Sequence, residues 1–218
     1  MHVGAERVTQ ADRRARTRGA LLESAARGLS RYGYGNLVLE QVAREAGYTR
    51  GALYHQFKDK QDLTLAVIRW IGETWLEAVE PLIDREREPV AALLTLARGH
   101  AVYCRRSGAR VATALRLEFS GQDHPVGHEI EQTYESLVVR CEGLIAAARD
   151  AGTLPPGPPV RTLALAFVGA LDGTVIALAG QEPHDELLTV RAVAGVLGVD
   201  PSMHSPTERT TDKTEAPS

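Results

Sequence analysis

The chain has 218 residues, of which 44% are hydrophobic and 24% are charged, so it can bury a core as one large domain or two small ones. This composition excludes a disordered chain. Two cysteines, Cys104 and Cys141, are too few for a disulfide framework, and no signal peptide precedes the basic N-terminal segment. We therefore expect a cytoplasmic protein.

The net charge of −3 is unevenly distributed along the chain. Through Lys60 there are 11 Lys and Arg against 6 Asp and Glu, whereas the remaining residues carry 14 against 22. Such an asymmetry predicts a basic N-terminal part that faces nucleic acid and an acidic body that the duplex repels.

The first 18 residues are polar and rich in arginine, which predicts a flexible basic arm over residues 1–18. DNA contacts from this arm, along the backbone or in a minor groove, would come from Arg14, Arg16 and Arg18. The alternative is a solvated charge run. An amphipathic helix then follows, with its apolar spacing carried by Leu22, Ala25, Ala26 and Leu29, and Gly33–Asn36 ends it.

Residues 41–63 have the pattern of two short helices joined by a glycine turn, which is typical of a helix-turn-helix DNA reader. Gly47 permits the positive φ of a tight turn, and Thr49 is a suitable N-cap for the second helix. Leu53 and Phe57 lie four residues apart and anchor that helix, which leaves Arg50, Tyr54 and either His55 or Gln56 facing outward.

The segment Ala46-Gly-Tyr-Thr-Arg-Gly-Ala-Leu-Tyr54, followed by Phe57, Lys58, Lys60 and Leu63, resembles the DNA-binding domain of the tetracycline-repressor (TetR) family of bacterial regulators. Two positions depart from the family pattern. Leu37-Val38 stands where the family commonly has a capping Thr or Ser, so Asn36 is the alternative cap. The order His55-Gln56-Phe57 leaves open which of the two polar side chains reaches DNA.

A recognition helix over residues 49–57 can enter the major groove with its N-terminal residues against base edges. Arg50 is a candidate for a bidentate bond to guanine or, equally, for a phosphate contact. Gly51 and Ala52 permit close approach. The resemblance implies that Tyr54 and Lys60 contact phosphates, and Arg44 on the preceding helix is expected to reach the backbone too. Thr49, at the N-terminal end of the recognition helix, is a further candidate for DNA contact.

A long fourth helix is predicted from Asp59-Lys60 to about Ile83, and it would link the DNA-binding part to the rest of the chain. Helical periodicity recurs over residues 89–106, 109–120, 125–151, 159–179 and 183–199, whereas no alternating run indicates a strand. The predicted fold class is all-α with about nine helices. The expected division is a helix-turn-helix domain over 19–63, a ligand-binding and dimerisation domain over 64–200 and a disordered tail over 201–218.

The segment Thr162–Gly180 is apolar apart from Asp172 and is nearly long enough to cross a bilayer. Asp172 lies at its centre, and Gly and Thr residues dilute it, so a mostly buried helix is favoured and no membrane partner is expected. Asp172 then needs a partner, either in a cavity or in a structural contact with an arginine.

One recognition helix contacts few base pairs, so specificity requires two heads on a palindromic site and hence a homodimer. The resemblance implies dimerisation through the last two long helices. The candidate interface is the apolar stripe of these helices, namely Phe167, Leu187, Val190, Val193, Ala194 and Leu197. The alternative for these residues is a core within one chain.

The resemblance also implies a ligand cavity in the helical body, whose occupancy changes the spacing of the two heads through the fourth helix. Candidate lining residues are aromatic or polar residues of the body, namely Trp70, His100, Tyr103, Arg116, Phe119, Tyr134 and Asp172. About half of these are expected to be ordinary core or surface residues. The body is rich in Ala, Leu and Val, which favours an apolar or amphipathic effector.

Other functions have weaker support in the sequence. His100 with Cys104, or His124 with His128 and Glu129, would be the start of a metal site, but each set lacks further ligands. Redox sensing by a cysteine lacks an activating environment, and no catalytic motif is found, so we expect no enzyme activity and no cofactor.

The sequence predicts a repressor released from a palindromic operator by a small molecule. The alternative is a helical ligand- or partner-binding dimer with a degenerate or non-specific DNA-binding head.

Overall fold

The computed structural model describes residues 9–106 and 108–204, and within these ranges it contains nine α-helices, one 3₁₀ helix and no strand. The all-helical prediction is therefore confirmed. The helices are α1 (Gln10–Tyr32), α2 (Leu39–Glu45), α3 (Arg50–Gln56), α4 (Lys60–Ile83), α5 (Pro89–Tyr103), α6 (Val111–Glu118), α7 (Pro125–Asp150), α8 (Val160–Leu178) and α9 (His184–Leu197).

Helix α1 begins much earlier than the sequence analysis expects. Thr9 and Asp12 form a capping box, in which the Thr9 hydroxyl accepts from the Asp12 amide at 3.1 Å and the Asp12 carboxylate accepts from the Thr9 amide at 2.8 Å. This cap satisfies amides that a helix otherwise leaves unpaired. The prediction of a flexible arm over 1–18 is therefore wrong from residue 10 onward, and residues 1–8 lie outside the described part of the chain.

The first three helices and the start of α4 form a small domain, which we call the head, around its own apolar core. The centre of this core consists of side chains that are at most 1% exposed, namely Leu21, Leu29, Leu53, Phe57 and Leu63. The turn after α1 requires a positive φ of 74° at Gly33, which is a conformation that favours glycine. The core holds α3 in one register, because Leu53 and Phe57 on its inner side have no other place to be buried.

Asn36, which was predicted as the alternative cap of α2, does not cap this helix. Its side-chain amide donates instead to the carbonyl of Tyr32 at 3.1 Å, where it satisfies the C-terminal end of α1. The N-cap of α2 is Val38, which supplies no side-chain hydrogen bond.

The remaining helices form the body, and α4 passes from the head into it. Helices α8 and α9 pack against each other, and α5 packs against both α4 and α9. Arg105 at the end of α5 donates two hydrogen bonds to the buried carboxylate of Asp185 at the start of α9, at 2.8 and 2.7 Å. Of the predicted disordered tail, Pro201–His204 forms the 3₁₀ helix, and residues 205–218 lie outside the described residues.

Most of the predicted dimer interface is core of the single chain. Of the predicted residues, only Leu187 is exposed, at 57%. The other five are buried, since α9 turns Val190, Val193, Ala194 and Leu197 towards α5 and α8, and Phe167 lies on the buried side of α8.

Helix α8 is, among the described residues, the one helix that by length and composition could cross a membrane, with a mean hydropathy of 1.6. It packs against α7 and α9 on one side and leaves an apolar face exposed on the other. That face carries Leu165 and Ile176, and the neighbouring face of α9 carries Leu187 and Leu188. We call these four exposed side chains the α8–α9 face.

Candidate nucleic-acid interface and ligand cavity

Helix α3 presents a short polar face at the surface of the head. Thr49 caps it, since its hydroxyl accepts from the amide of Ala52 at 3.2 Å. With Leu53 and Phe57 buried beneath, the exposed residues of α3 are Arg50, Gly51, Tyr54 and His55. Gln56 is half-buried beside its exposed neighbour. Of the two polar residues before Phe57, the geometry therefore favours His55 for contacts outside the chain.

Arg50 lies at the start of α3 and is held by two neighbours. Its Nε is 3.1 Å from a carboxylate oxygen of Glu40, and its guanidinium lies 5.3 Å from the centre of the Tyr54 ring. The arginine and the glutamate are both largely exposed, so this ion pair contributes at most about 1 kcal/mol. Arg50 is thus positioned beside Tyr54 but remains free to exchange its partner.

Lys60 has partners within the head. Its ammonium donates to the carbonyls of Tyr34 and Gly35 at 2.9 and 3.2 Å and lies 4.6 Å from the centre of the Tyr34 ring. These contacts hold the turn between α1 and α2, which is a structural role that the sequence analysis does not foresee. The neighbouring Lys58 is exposed.

The arginines at the start of α1 divide into two groups. Arg14 and Arg16 are exposed, as is Arg44 on α2. Arg18 is exposed too, but its guanidinium lies 4.7 Å from the centre of the Phe57 ring, where it connects α1 to the end of α3. The helical course of residues 10–18 fixes the directions in which these side chains point.

The head is joined to the body at the turn after α1. The carboxylate of Glu118, at the end of α6, accepts from the amides of Tyr34 and Gly35 at 2.7 and 2.9 Å. Gly108, with φ of 91°, lies so close to α1 that a β-carbon there would meet the backbone of Ala26 at 3.1 Å. Helix α6 and the loop before it therefore contact the head directly.

Phe119 belongs to this junction and not to a ligand cavity, contrary to its prediction as a lining residue. Its ring packs against Tyr34 and His124 with centroid distances of 5.2 and 4.6 Å. The aromatic group fills the space between the head and the start of α7, which explains its burial.

A cavity of about 500 Å³ lies in the body between α4, α5, α6, α7 and α8. Four predicted residues line it, namely His100, Tyr103, Tyr134 and Asp172. Two others do not: Trp70 packs against the core from another side of α4, and Arg116 reaches the cavity only through Asp172 and Tyr134. An apolar wall on α4, formed by Ile71, Trp75 and Leu76, was not predicted, although the i, i+4 spacing of Ile71 and Trp75 indicates a shared helix face.

One end of the cavity is polar. The Tyr134 hydroxyl lies 3.3 Å from a carboxylate oxygen of Asp172 and 3.3 Å from the hydroxyl of Thr113. The Arg116 guanidinium lies 4.0 Å from the centre of the Tyr134 ring and 3.7 Å from the second oxygen of Asp172. Burial raises the pKa of the Asp172 carboxyl, and the hydrogen bond from Tyr134 and the charge of Arg116 oppose this shift.

His100 is a neutral member of the cavity wall. Its Nδ1 accepts from the indole of Trp75 at 3.1 Å, which leaves Nε2 to face the Cys104 sulfur at 3.6 Å. Burial lowers the pKa of His100 to about 4. Among the described residues, no three His, Cys, Asp or Glu side chains gather as metal ligands.

The remaining candidates for sensing chemistry are engaged elsewhere. The Nδ1 of His124 accepts from the Val126 amide at 3.1 Å, whereas Glu129 pairs with Arg69 at 2.8 Å. Burial raises the pKa of Cys104 and that of Cys141 to about 12, so both thiols are protonated at neutral pH.

The fold and this surface define a helix-turn-helix transcriptional regulator with a helical body. The model of bacterial regulatory proteins of the tetR family matches residues 21–67. The transcriptional repressor BepR of Brucella suis biovar 1 (strain 1330) is 30% identical over 167 residues, which cover 71% of this chain and 78% of that protein. The chain therefore belongs to the TetR family of bacterial regulators.

Two further similarities extend this comparison. The A-factor receptor protein of Streptomyces griseus is 29% identical over 121 residues, but the alignment spans 54% of this chain and only 42% of the receptor. The crystal structure of AibR in complex with isovaleryl coenzyme A and operator DNA has a TM-score of 0.70 at 20% identity, with 84% of this chain and all 100% of that chain covered. The structural match shows the shared fold.

Proposed function

We propose that the chain is a cytoplasmic repressor that binds a palindromic operator as a homodimer and leaves it when a small molecule fills the cavity. The observation that carries this proposal is the single helix α6, which lines the cavity through Ala112 and Thr113 and grips the head through Glu118. The AibR complex, which holds operator DNA and an acyl coenzyme A, supports the pairing of these two functions in one fold.

On the DNA side, α3 enters the major groove with Arg50 and Tyr54 at its leading face. Arg50 reads a guanine, whereas Tyr54 and His55 contact the adjacent backbone or base edges. The exposed Arg14, Arg16 and Arg44 follow the flanking phosphates. Because the ammonium of Lys60 already holds the turn after α1, its role in binding is to keep the head in shape, and any phosphate contact adds to that role.

The α8–α9 face is the dimer interface in this proposal. Leu165 and Ile176 on α8 and Leu187 and Leu188 on α9 are exposed apolar side chains, and in this proposal two copies of the face make a four-helix contact around a two-fold axis. We expect Ile176→Glu with Leu187→Glu to yield a monomer by sedimentation. A dimer that survives both charges would contradict this interface.

Ligand control follows from a difference in affinity for two positions of the head. A molecule that fills the cavity contacts Ala112 and Thr113 and shifts α6, and Glu118 carries this movement to the Tyr34–Gly35 turn. The operator affinity then falls by the ratio of the ligand affinities for the two states.

The proposal is tested by selecting bound fragments from genomic DNA and measuring their affinity at several salt concentrations. Arg50→Ala is expected to relax the preference at one base position, at a cost of about 1–3 kcal/mol. Lys58→Ala, a control cation on the same surface, is expected to change all sites equally. Binding without sequence preference, or equal losses for both variants on every sequence, would contradict specific operator recognition.

A further inference from the structure

The wall of the cavity is largely apolar and of a size for one small molecule. Ile71, Trp75 and Leu76 from α4 face Tyr103 from α5 and Leu137 from α7. A volume of about 500 Å³ falls in the range of pockets that enclose a single drug-sized ligand. Such a wall favours a molecule that is mostly hydrocarbon, because burial of apolar surface supplies most of its affinity.

The charges around the cavity are compensated within the chain. Arg69 pairs with Glu129, Arg140 pairs with Glu80, and Arg116 lies beside Asp172. The other two charged residues of the wall, Glu73 and Arg110, have opposite signs and are exposed. A charged ligand would lose hydration against an apolar wall on which Arg69, Arg140 and Glu80 are already paired and the remaining charges, Glu73 and Arg110, lie at the exposed part.

The polar end, in contrast, has unused hydrogen-bond acceptor capacity. One oxygen of Asp172 accepts from Tyr134, and the other lies 3.7 Å from Arg116, which is beyond hydrogen-bond distance. A carboxylate offers about four acceptor positions, so Asp172, which lines the cavity, can accept a further hydrogen bond from a ligand. Arg116, which also pairs with Glu131, compensates part of the charge of Asp172.

We infer that the cavity takes an uncharged, mostly apolar molecule with one hydroxyl or equivalent hydrogen-bond donor, and that this donor binds Asp172 beside Tyr134. That this molecule also controls operator binding rests on the proposed function. The binding preference itself follows from the cavity alone.

The test measures binding directly through Trp75, since the chain has two tryptophans and Trp70→Phe leaves the cavity tryptophan as the sole reporter. Four probes share a ten-carbon chain: 1-decanol, decyl methyl ether, decanoate and decylammonium. We expect 1-decanol to bind roughly tenfold tighter than the ether, which lacks the donor, and tighter than both ions. Equal affinity for alcohol and ether, tightest binding of an ion, or no saturable signal from any probe would overturn the inference.

Variants of Asp172 test whether this residue causes the preference for the alcohol over the ether. Asp172→Leu is expected to abolish the advantage of the alcohol over the ether, and Asp172→Asn, which keeps the shape of the side chain and one acceptor, is expected to retain part of it. The matched control is Glu73→Gln at the exposed part of the wall, which should leave the preference unchanged. An unchanged preference in Asp172→Leu would overturn the role of Asp172.

A separate measurement of operator release distinguishes this inference from the proposed function. If 1-decanol binds with the expected preference but no concentration of it releases the operator, ligand control by this cavity fails and the chemical class of ligand stands. If all four probes release the operator equally, ligand control stands and the inferred class fails.

Discussion

The head and the body place their functional groups in opposite directions. In the head, a tight core around Leu53 and Phe57 points the polar side chains of α3 outward, so that packing and recognition use different residues. In the body, Tyr103, Tyr134 and Asp172 contribute both to packing and to the cavity wall. Substitutions on the exposed face of α3 can therefore alter DNA binding without loss of the fold, whereas substitutions in the cavity wall alter the packing of the body as well.

The largest expected effect comes from damage to the core of one region, with both functions measured afterwards. Phe57→Ala removes a side chain that is 1% exposed, and we expect a loss of about 3–5 kcal/mol of stability in the head. Operator binding should disappear, whereas titration of Trp75 with a cavity ligand should remain. Ile145→Ala, at 0% exposure in the body, is the matched control and should preserve operator binding at low temperature. Parallel loss of both functions in Phe57→Ala would show that the two regions fold as one unit.

A second expected effect concerns the pH dependence of the body. The folded state depresses the pKa of His100 from its ordinary value of 6.5 to about 4, so the unfolded chain binds a proton in this range that the folded chain does not. The stability contributed by neutral His100 is present above pH 6.5 and falls by up to about 3 kcal/mol as the pH drops to 4. Denaturant unfolding at several pH values should show this loss in the wild type, and His100→Gln should lack it. An identical pH profile for both would contradict the assignment.

The junction between the regions gives an intermediate effect. Glu118→Ala removes the acceptor for the amides of Tyr34 and Gly35, and we expect a loss of about 1–3 kcal/mol. The cavity should still bind its ligand with unchanged affinity, but bound ligand should no longer change operator affinity. The control is Glu23→Ala, whose exposed ion pair with Arg27 contributes less than about 1 kcal/mol. Full ligand control in Glu118→Ala would exclude α6 as the connection.

The smallest expected effect separates two uses of arginine in the head. Arg18→Ala removes the contact with the Phe57 ring and should cost about 0.5–1 kcal/mol of stability, with little change in the salt dependence of operator binding. Arg16→Ala should leave stability unchanged and reduce the slope of log affinity against log salt by about 1. The reverse result would place Arg18 on the phosphate backbone.

The sequence predicted the head and the helical fold because their signals are local. The glycine turn at Gly47, the cap at Thr49 and the Leu53–Phe57 spacing each act within a few residues, and helix α4 was predicted almost to its ends. The early start of α1 was missed, although Thr9 and Asp12 stand at capping-box spacing.

The use of each helix face could not be predicted in the same way. The stripe of Val190, Val193 and Ala194 has the same spacing whether it faces a partner or its own core, and only the packing of α9 against α5 decides. A cavity is likewise a property of long-range packing, since it depends on where five helices fail to meet. Asp172 was assigned to a cavity or to an arginine contact, and the structure provides both at once.

The pairing of Arg50 with Glu40 has a consequence for selectivity. In the free protein the Glu40 carboxylate pairs with the Arg50 guanidinium, so in the proposed complex any DNA contact by Arg50 first breaks this pair. A guanine edge that receives two hydrogen bonds repays that displacement, whereas a single phosphate contact repays less of it. In the proposed complex Glu40 therefore disfavours single phosphate contacts, by at most about 1 kcal/mol because the ion pair is exposed.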